Sequence, residues 1–154
     1  MKRIIISLIL LSFFLFSFKA FNFIQISNPN KGDVCNQNEL LKRCRKMLGQ
    51  FDYDSFEYTK ITYQKKAQTT EMEVPMFSDE TYLLIFNTRG SKKKVIINIY
   101  NKSSKAKVRD MLFSSSDFPE NQTEFKYEPS GKVRKLFIDY VVPAVDSDTI
   151  PNGC

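Results

Sequence analysis

The stretch YLLIFNTRGSKKKVIINIY at residues 82–100 decides the fold class. It holds two strongly apolar runs, Tyr82–Phe86 and Val95–Tyr100, on either side of Arg89-Gly90-Ser91 and three lysines. Short apolar runs bounded by turn residues are typical of buried strands. The stretch therefore predicts two central strands joined by a turn.

The sequence on either side of this stretch alternates between apolar and polar residues, which is typical of half-buried strands. Further strands are predicted at Phe56–Tyr63, Met72–Met76, Met111–Phe113, Phe125–Tyr127 and Leu136–Val142. Pro75 places the second of these at a sheet edge, because proline cannot donate a ladder hydrogen bond. Seven short strands separated by turn signals predict a mainly β fold, an antiparallel β-sandwich.

One short α-helix is predicted ahead of the strands. Asn38 can cap it, Glu39 lies in its first turn, and Gly49 is a natural stop. Its apolar residues fall on one stripe: Leu40, Leu41, Cys44, Met47 and Leu48. We expect that stripe to dock the helix on the β domain.

The N-terminal segment is predicted to be an export signal. Lys2-Arg3 and the apolar run Ile4–Phe16 match the charged and apolar regions of a secretory signal peptide, although an uncleaved signal anchor is the alternative. The expected organisation is a signal peptide at residues 1–20, an extended lead-in at 21–37 and a β-sandwich domain with its N-terminal helix at 38–154. The expected location is the periplasm, the cell surface or the medium.

Composition argues against catalysis. The 154 residues include no His, which excludes Ser-His-Asp and Cys-His nucleophilic sites and zinc sites built on His. Half of the formal charge of +6 lies on Lys2, Arg3 and Lys19, and the basic loops lack the interleaved exposed aromatics of nucleic-acid sites. We therefore expect no enzyme activity, no cofactor, no metal ligands and no nucleic-acid partner.

Cys35, Cys44 and Cys154 are the only cysteines. In an oxidising compartment one disulfide is plausible, three pairings are open, and one cysteine stays unpaired in each. A bond from Cys44 to either of the others would pin the helix to the domain. We expect a structural role rather than a redox role, because no Cys-x-x-Cys is present.

Two further features concern carboxylates and the chain end. Glu71 and Glu73 share one face of a predicted strand, and we interpret them as a polar strand face. Residues 146–154 predict a loop that stops where another strand could begin. Either a last strand follows, or the neighbouring strand is an open edge available for strand addition by a partner.

The region Tyr82–Val142 resembles the bacterial pre-peptidase C-terminal domains. The strand Tyr82–Thr88 is followed by the run Val95–Asn101, which ends in Tyr-Asn. The short strand then reads Leu112-Phe113-Ser114-Ser115-Ser116, and a closing pair of strands contains Phe125–Pro129 and Lys135–Tyr140. The acidic strand entrance of that family is replaced by Lys92–Lys94, which argues against a calcium site of its kind. The resemblance implies a jelly-roll-like β-sandwich used as a non-catalytic accessory or binding module.

These observations predict an exported binding module that acts by protein–protein interaction at the bacterial envelope or cell surface. The candidate binding residues are Tyr58, Tyr63, Tyr100 and Phe118. The alternative is a module that binds carbohydrate or a surface polymer through a planar strip of exposed aromatic rings. Membrane contact is expected only through an uncleaved signal segment.

Overall fold

A computed structural model of the chain describes residues 35–77, 79–146 and 153–154. The predicted signal peptide, most of the predicted lead-in and residues 147–152 lie outside the described residues. The described elements are α1 (Gln37–Met47), β1 (Gln68–Pro75), β2 (Leu84–Asn87), β3 (Ile96–Tyr100), β4 (Met111–Ser114), a 3₁₀ turn (Ser115–Asp117), β5 (Glu124–Tyr127) and β6 (Lys135–Val142). For the described residues, the prediction of a mainly β chain with one α-helix is confirmed.

The strands form two antiparallel sheets. One has four strands in the order β1-β6-β3-β4, and the other pairs β2 with β5. β1 lies at an edge and ends at Pro75, as the proline predicted. Of the two strands predicted to be central, β3 is an inner strand of the four-stranded sheet. β2 is not central, because its only described partner is β5 in the two-stranded sheet.

The larger of two described apolar core clusters lies between the two sheets. Alternate residues of β3 and β6 point into it, and Phe86 of β2 and Phe125 of β5 meet them from the other sheet. Its buried members are Met76, Phe86, Ile97, Ile99, Phe125, Leu136 and Ile138. Burial of this apolar surface is the main force that holds the sheets together.

Helix α1 begins two residues earlier than predicted, because Asn36 rather than Asn38 caps it. The Asn36 side chain accepts a hydrogen bond from the backbone N–H of Glu39 at 3.2 Å. Gly49 follows the helix with a φ of 64°, a conformation that favours glycine, so the predicted stop is confirmed. The predicted apolar stripe is half-buried, and α1 contacts β2.

The segment predicted as a first strand at residues 56–63 is not a strand. Its only ladder contact among the described residues is an isolated bridge between Ile61 and Gly153. Ile61 and Tyr63 are nevertheless buried, so the alternation correctly predicted burial where it failed to predict strand pairing. They belong to a second core cluster with Val95, Val142 and Val145.

Gly153 is held where a larger residue would not fit. A Cβ at this position would lie 3.0 Å from Tyr63 Oη, 3.1 Å from Ser91 Cα and 3.2 Å from the Gly90 carbonyl oxygen. The close approach allows the two backbone hydrogen bonds between Gly153 and Ile61, at 2.8 and 2.9 Å.

Within the described part of the chain, no helix has the length and apolar character needed to cross a bilayer.

Candidate functional site

The open edge of the four-stranded sheet at β4 carries exposed apolar side chains. β4 pairs with β3 on one side, and no described strand pairs with its other side. Met111 and Leu112 on β4 are 55% and 39% exposed, and Val108 in the preceding loop is 70% exposed. We define these three residues as the β4 edge surface.

A β-bulge shapes this edge. Ile99 pairs with Phe113, but Tyr100 pairs with Met111, so Leu112 is an extra residue on the β4 side. A bulge bends its strand and leaves the extra residue outside the regular pairing. Leu112 therefore remains at the surface between Met111 and Phe113.

Beneath this surface lies a cluster of aromatic rings. The ring of Phe113 contacts those of Phe86, Phe118, Phe125 and Tyr127, with centroid distances of 5.6 to 6.4 Å. Phe118 also contacts Phe125 at 5.6 Å and is 37% exposed. The cluster supports β4, because the ring of Phe113 on this strand packs against four other rings.

The loop between β3 and β4, residues 101–110, lies over the outer face of the sheet. Asn101 and Asp110 close it through three hydrogen bonds of 2.6 to 3.2 Å. Its middle is fixed to β1, because the Glu71 carboxylate accepts hydrogen bonds from the Ser103 hydroxyl and the Ser104 N–H. Glu71 therefore belongs to a polar strand face that binds the chain's own loop.

Arg109, in the same loop, joins three elements of the sheet. Its Nη2 donates to Asp139 Oδ2 at 2.8 Å, its Nη1 lies 3.5 Å from Glu71 Oε2, and its guanidinium carbon lies 3.7 Å from the centroid of the Tyr100 ring. Asp139 is only 3% exposed, so this ion pair is buried on the aspartate side. A guanidinium over an aromatic ring adds a cation–π attraction.

The charges of this network stabilise one another. The hydrogen bond to Asp139 is the main cause that raises the pKa of Arg109, and burial acts in the opposite direction. Burial alone would raise the pKa of Glu71, but hydrogen bonds from Ser104 and Ser103 and the charge of Arg109 together lower it. The network therefore anchors the loop of residues 101–110 to β1, β3 and β6.

Comparisons of the chain with protein-family models, with curated proteins and with solved structures find no match.

The four candidate binding residues are not brought to one face. Tyr100 pairs with Met111 and Phe118 contacts Phe113, so both lie beside β4. Tyr58 donates a hydrogen bond to the Cys35 carbonyl at 3.2 Å, in a different part of the domain.

Tyr63 is buried, and its hydroxyl is hydrogen-bonded within the domain. Its hydroxyl accepts hydrogen bonds from the N–H groups of Lys92 at 2.7 Å and Lys93 at 3.0 Å, and it lies 2.8 Å from Ser91 Oγ. Ser91 Oγ donates its own proton to the Lys93 carbonyl at 2.6 Å. The Tyr63 hydroxyl therefore donates to Ser91, and its capacity for hydrogen bonds is used within the domain.

The structure joins Cys35 to Cys154 and leaves the Cys44 thiol unbonded, with 5.7 Å between the Cα atoms of the disulfide. Cys44 is half-buried on α1, close to Asn87 and Glu124 on the outer face of the small sheet. Burial, followed by the charge of Glu124, raises the pKa of this thiol. A raised pKa lowers the thiolate fraction and so the reactivity.

Sequence reasoning missed Val108, Met111 and Leu112 as surface residues. A signal was present, because Met111-Leu112-Phe113 places three large apolar residues in a row and a strand points neighbours to opposite faces. With Phe113 in the core, at least one of the others had to face outward or lie in a bulge. The ion pair of Arg109 and Asp139 gave no such signal, because 29 residues separate them.

Proposed function

We propose that this chain is an exported, non-catalytic β-sandwich module, jelly-roll-like in architecture, that acts by protein–protein interaction at the bacterial envelope or cell surface. The observation that carries the proposal is the β4 edge surface, where Val108, Met111 and Leu112 are exposed beside a strand edge that no described strand pairs with. An extended segment of a partner protein can add to such an edge through backbone hydrogen bonds and bury the apolar side chains.

The other edge of the same sheet, at β1, is protected against such pairing. Met76 N–H donates to the Arg134 carbonyl at 2.8 Å in register with the β1–β6 ladder, so even-numbered residues of β1 face β6 and odd-numbered ones face outward. Pro75 is therefore at an outward position, where it offers no N–H. Charged side chains and proline commonly protect edge strands from pairing with another chain.

The carboxylates of β1 are also already engaged. Glu73 forms an ion pair with Lys135, and Glu71 binds the loop of residues 101–110. At Met111 and Leu112, β4 has neither a proline nor a charged side chain, which favours β4 as the site of contact.

The alternative function, carbohydrate or surface-polymer binding, has less support. The exposed aromatic residues of the described chain are Tyr53, Phe56, Phe77 and Phe118. The ring of Tyr53 lies under the Arg45 guanidinium at 4.2 Å, Phe118 packs on Phe113 and Phe125, and no ring contact joins any two of these four described residues. Sugar binding of the predicted kind needs several accessible rings in one plane. The exposed side chains of the β4 edge surface are aliphatic, which suits a protein partner better.

The proposal is tested by photo-crosslinking in bacteria that export the protein. A photoreactive residue at position 112 should form a discrete adduct with one envelope or surface protein, whereas the same residue at position 70, an exposed site on β1, should not. The identified partner should then bind the Met111→Lys, Leu112→Lys double variant at least about ten-fold more weakly than the wild type.

A matched variant separates edge contact from a general effect of added charge. Thr69→Lys with Thr70→Lys adds the same two charges to β1 and should leave the affinity unchanged. Equal adducts at positions 70 and 112, no adduct at either position, or equal losses in both double variants would contradict contact through β4.

A further inference from the structure

Two basic segments that are distant in sequence meet at the end of the domain opposite the loop of residues 101–110. The segments are residues 60–66 and residues 88–95, which together hold seven Lys or Arg residues and no Asp or Glu. The buried Tyr63 hydroxyl joins them by accepting hydrogen bonds from Lys92 N–H and Lys93 N–H. Val95 of the second segment packs with Ile61 and Tyr63 of the first.

The lysines of these segments point to solvent. Ile61 and Tyr63 take the buried positions, and Lys60, Lys66, Lys92, Lys93 and Lys94 are all exposed. We call these five residues the lysine patch. The patch does not include Arg89, because its Nη2 lies 3.9 Å from Glu124 Oε1 in an ion pair. Two described acids lie near the patch. Asp146 follows Val145, whose N–H donates to the Gln64 carbonyl, and the charge of Glu57 acts on Tyr140, which packs against Ile61 and Tyr63.

The N-terminal segment joins the domain beside this patch. Cys35 Sγ lies 4.0 Å from the Gly90 carbonyl oxygen, and its disulfide partner Cys154 donates its N–H to the same carbonyl at 3.3 Å. Gly90 and Ser91 directly precede Lys92. The chain that leads back to the apolar run at residues 4–16 therefore starts from the lysine end of the domain.

We propose that the lysine patch binds the anionic headgroup layer of a lipid bilayer. Exposed lysines on neighbouring loops attract acidic lipids without a fixed stereochemistry, and each lysine near such a surface adds about five-fold to the affinity. The proposal goes beyond contact through an uncleaved signal segment, because the folded domain itself supplies the charge. It is independent of the β4 edge surface.

The chemistry of the patch favours a lipid surface over an acidic polymer or a nucleic acid. All five residues are lysines, which are mobile point charges, and none is an arginine with the planar fork that matches one phosphate or carboxylate. The nearby rings of Tyr58 and Tyr63 are hydrogen-bonded within the domain and present no platform on which sugars or bases could stack.

The position of residue 35 strengthens this choice. The 18 residues from 17 to 34 separate Cys35 from the apolar run, a distance of at most about 60 Å when fully extended. If the apolar run remains in the membrane, this link keeps the lysine patch near the headgroups. If the run is removed, the patch provides the attraction alone.

The test measures binding of the full chain to sedimented vesicles. Vesicles of phosphatidylcholine alone are compared with a two-to-one mixture of phosphatidylcholine and phosphatidylglycerol at low salt. The apolar run and the basic residues Lys2, Arg3 and Lys19 are the same in every variant, so a change in the ratio of the two affinities between variant and wild type reports the replaced lysines. The Lys92→Gln, Lys93→Gln, Lys94→Gln variant should lose on the order of 100-fold of the preference for the anionic vesicles.

A matched variant removes the same number of charges elsewhere. Lys102, Lys105 and Lys107 are exposed in the loop of residues 101–110, and their replacement by Gln should leave most of the preference intact. Equal losses in the two triple variants, or no preference in the wild type, would overturn the proposal. Retention on an acidic polysaccharide that needs Lys92–Lys94, without a preference for phosphatidylglycerol, would assign the patch to a polymer instead.

Discussion

At the scale of single residues, the buried hydrogen bonds of this domain serve to hold loops in place. Tyr63 and Arg109 each bind groups that lie far away in sequence. Tyr63 is itself buried, and Arg109 is half-buried but binds the buried Asp139. A buried polar group that loses its partner costs more than the hydrogen bond itself. Removal of the hydrogen-bonding group of either residue should therefore lower the free energy of unfolding by more than one hydrogen bond contributes.

Tyr63→Phe tests this at the loop of residues 88–95. The change keeps the ring but leaves the N–H groups of Lys92 and Lys93 without their acceptor, so we expect a loss of about 1–3 kcal/mol in the free energy of unfolding. Urea denaturation should show a lower midpoint with an unchanged slope. Tyr53→Phe, which removes a hydroxyl from an exposed ring, is the control, and a similar midpoint for both variants would contradict the prediction.

The candidate binding tyrosines show why sequence reasoning places such residues poorly. Tyrosine suits both an exposed binding face and a buried hydrogen bond, and the sequence around Tyr58 and Tyr63 does not distinguish these roles. The distinction depends on acceptors and donors from Cys35 and Lys92, which lie 23 and 29 residues away. Tyr100 and Phe118 both lie beside β4, but no local sequence pattern predicted that these two residues are near the same strand.

At the scale of elements, patterns of burial were predictable and patterns of pairing were not. The helix stripe and the alternation in β6 follow from local sequence, because each reports which face of an element is apolar. The edge position of β1 also follows from local sequence, because Pro75 cannot donate a ladder hydrogen bond. The partner of β2 and the missing strand at residues 56–63 depend on distant chain. Strand pairing is a long-range contact, and no short window of sequence contains it.

The contact between β1 and the loop of residues 101–110 should respond to acid. The pKa of Glu71 is lowered in the folded protein, so its contribution to stability is present above the unfolded value of about 4.3 and is lost as the pH falls through the lower folded value. Glu71→Gln should therefore reduce the loss of stability between neutral and strongly acidic pH, measured by urea denaturation at each pH.

Glu73→Gln is the control for this experiment. Glu73 lies two residues along the same strand and pairs with Lys135, but both side chains are about half exposed. Exposed ion pairs contribute little to stability, so this variant should keep the acid sensitivity of the wild type. If the two variants follow the same pH dependence, the loop is not anchored by the charge of Glu71.

At the scale of the whole molecule, the two proposed surfaces lie on different parts of the β domain and have different chemistry. The β4 edge surface is aliphatic and is supported by the aromatic cluster around Phe113, whereas the lysine patch lies on loops joined by Tyr63. A domain organised in this way could hold a partner protein while its other end rests on an anionic surface. Variants at either surface should leave the other function intact.

The disulfide should determine how firmly the lysine end is held together. Cys35 and Cys154 are 119 residues apart, and both contact Gly90, so the bond fixes the start and end of the described domain to one loop. Closing a loop of this length removes unfolded-state entropy worth about 2–5 kcal/mol. Replacing both cysteines by Ser should lower the denaturation midpoint accordingly, whereas Cys44→Ser should keep most of the stability and the sensitivity to reductant. A reductant that leaves the midpoint of the wild type unchanged would contradict this role, because the bond would then contribute nothing to the folded state.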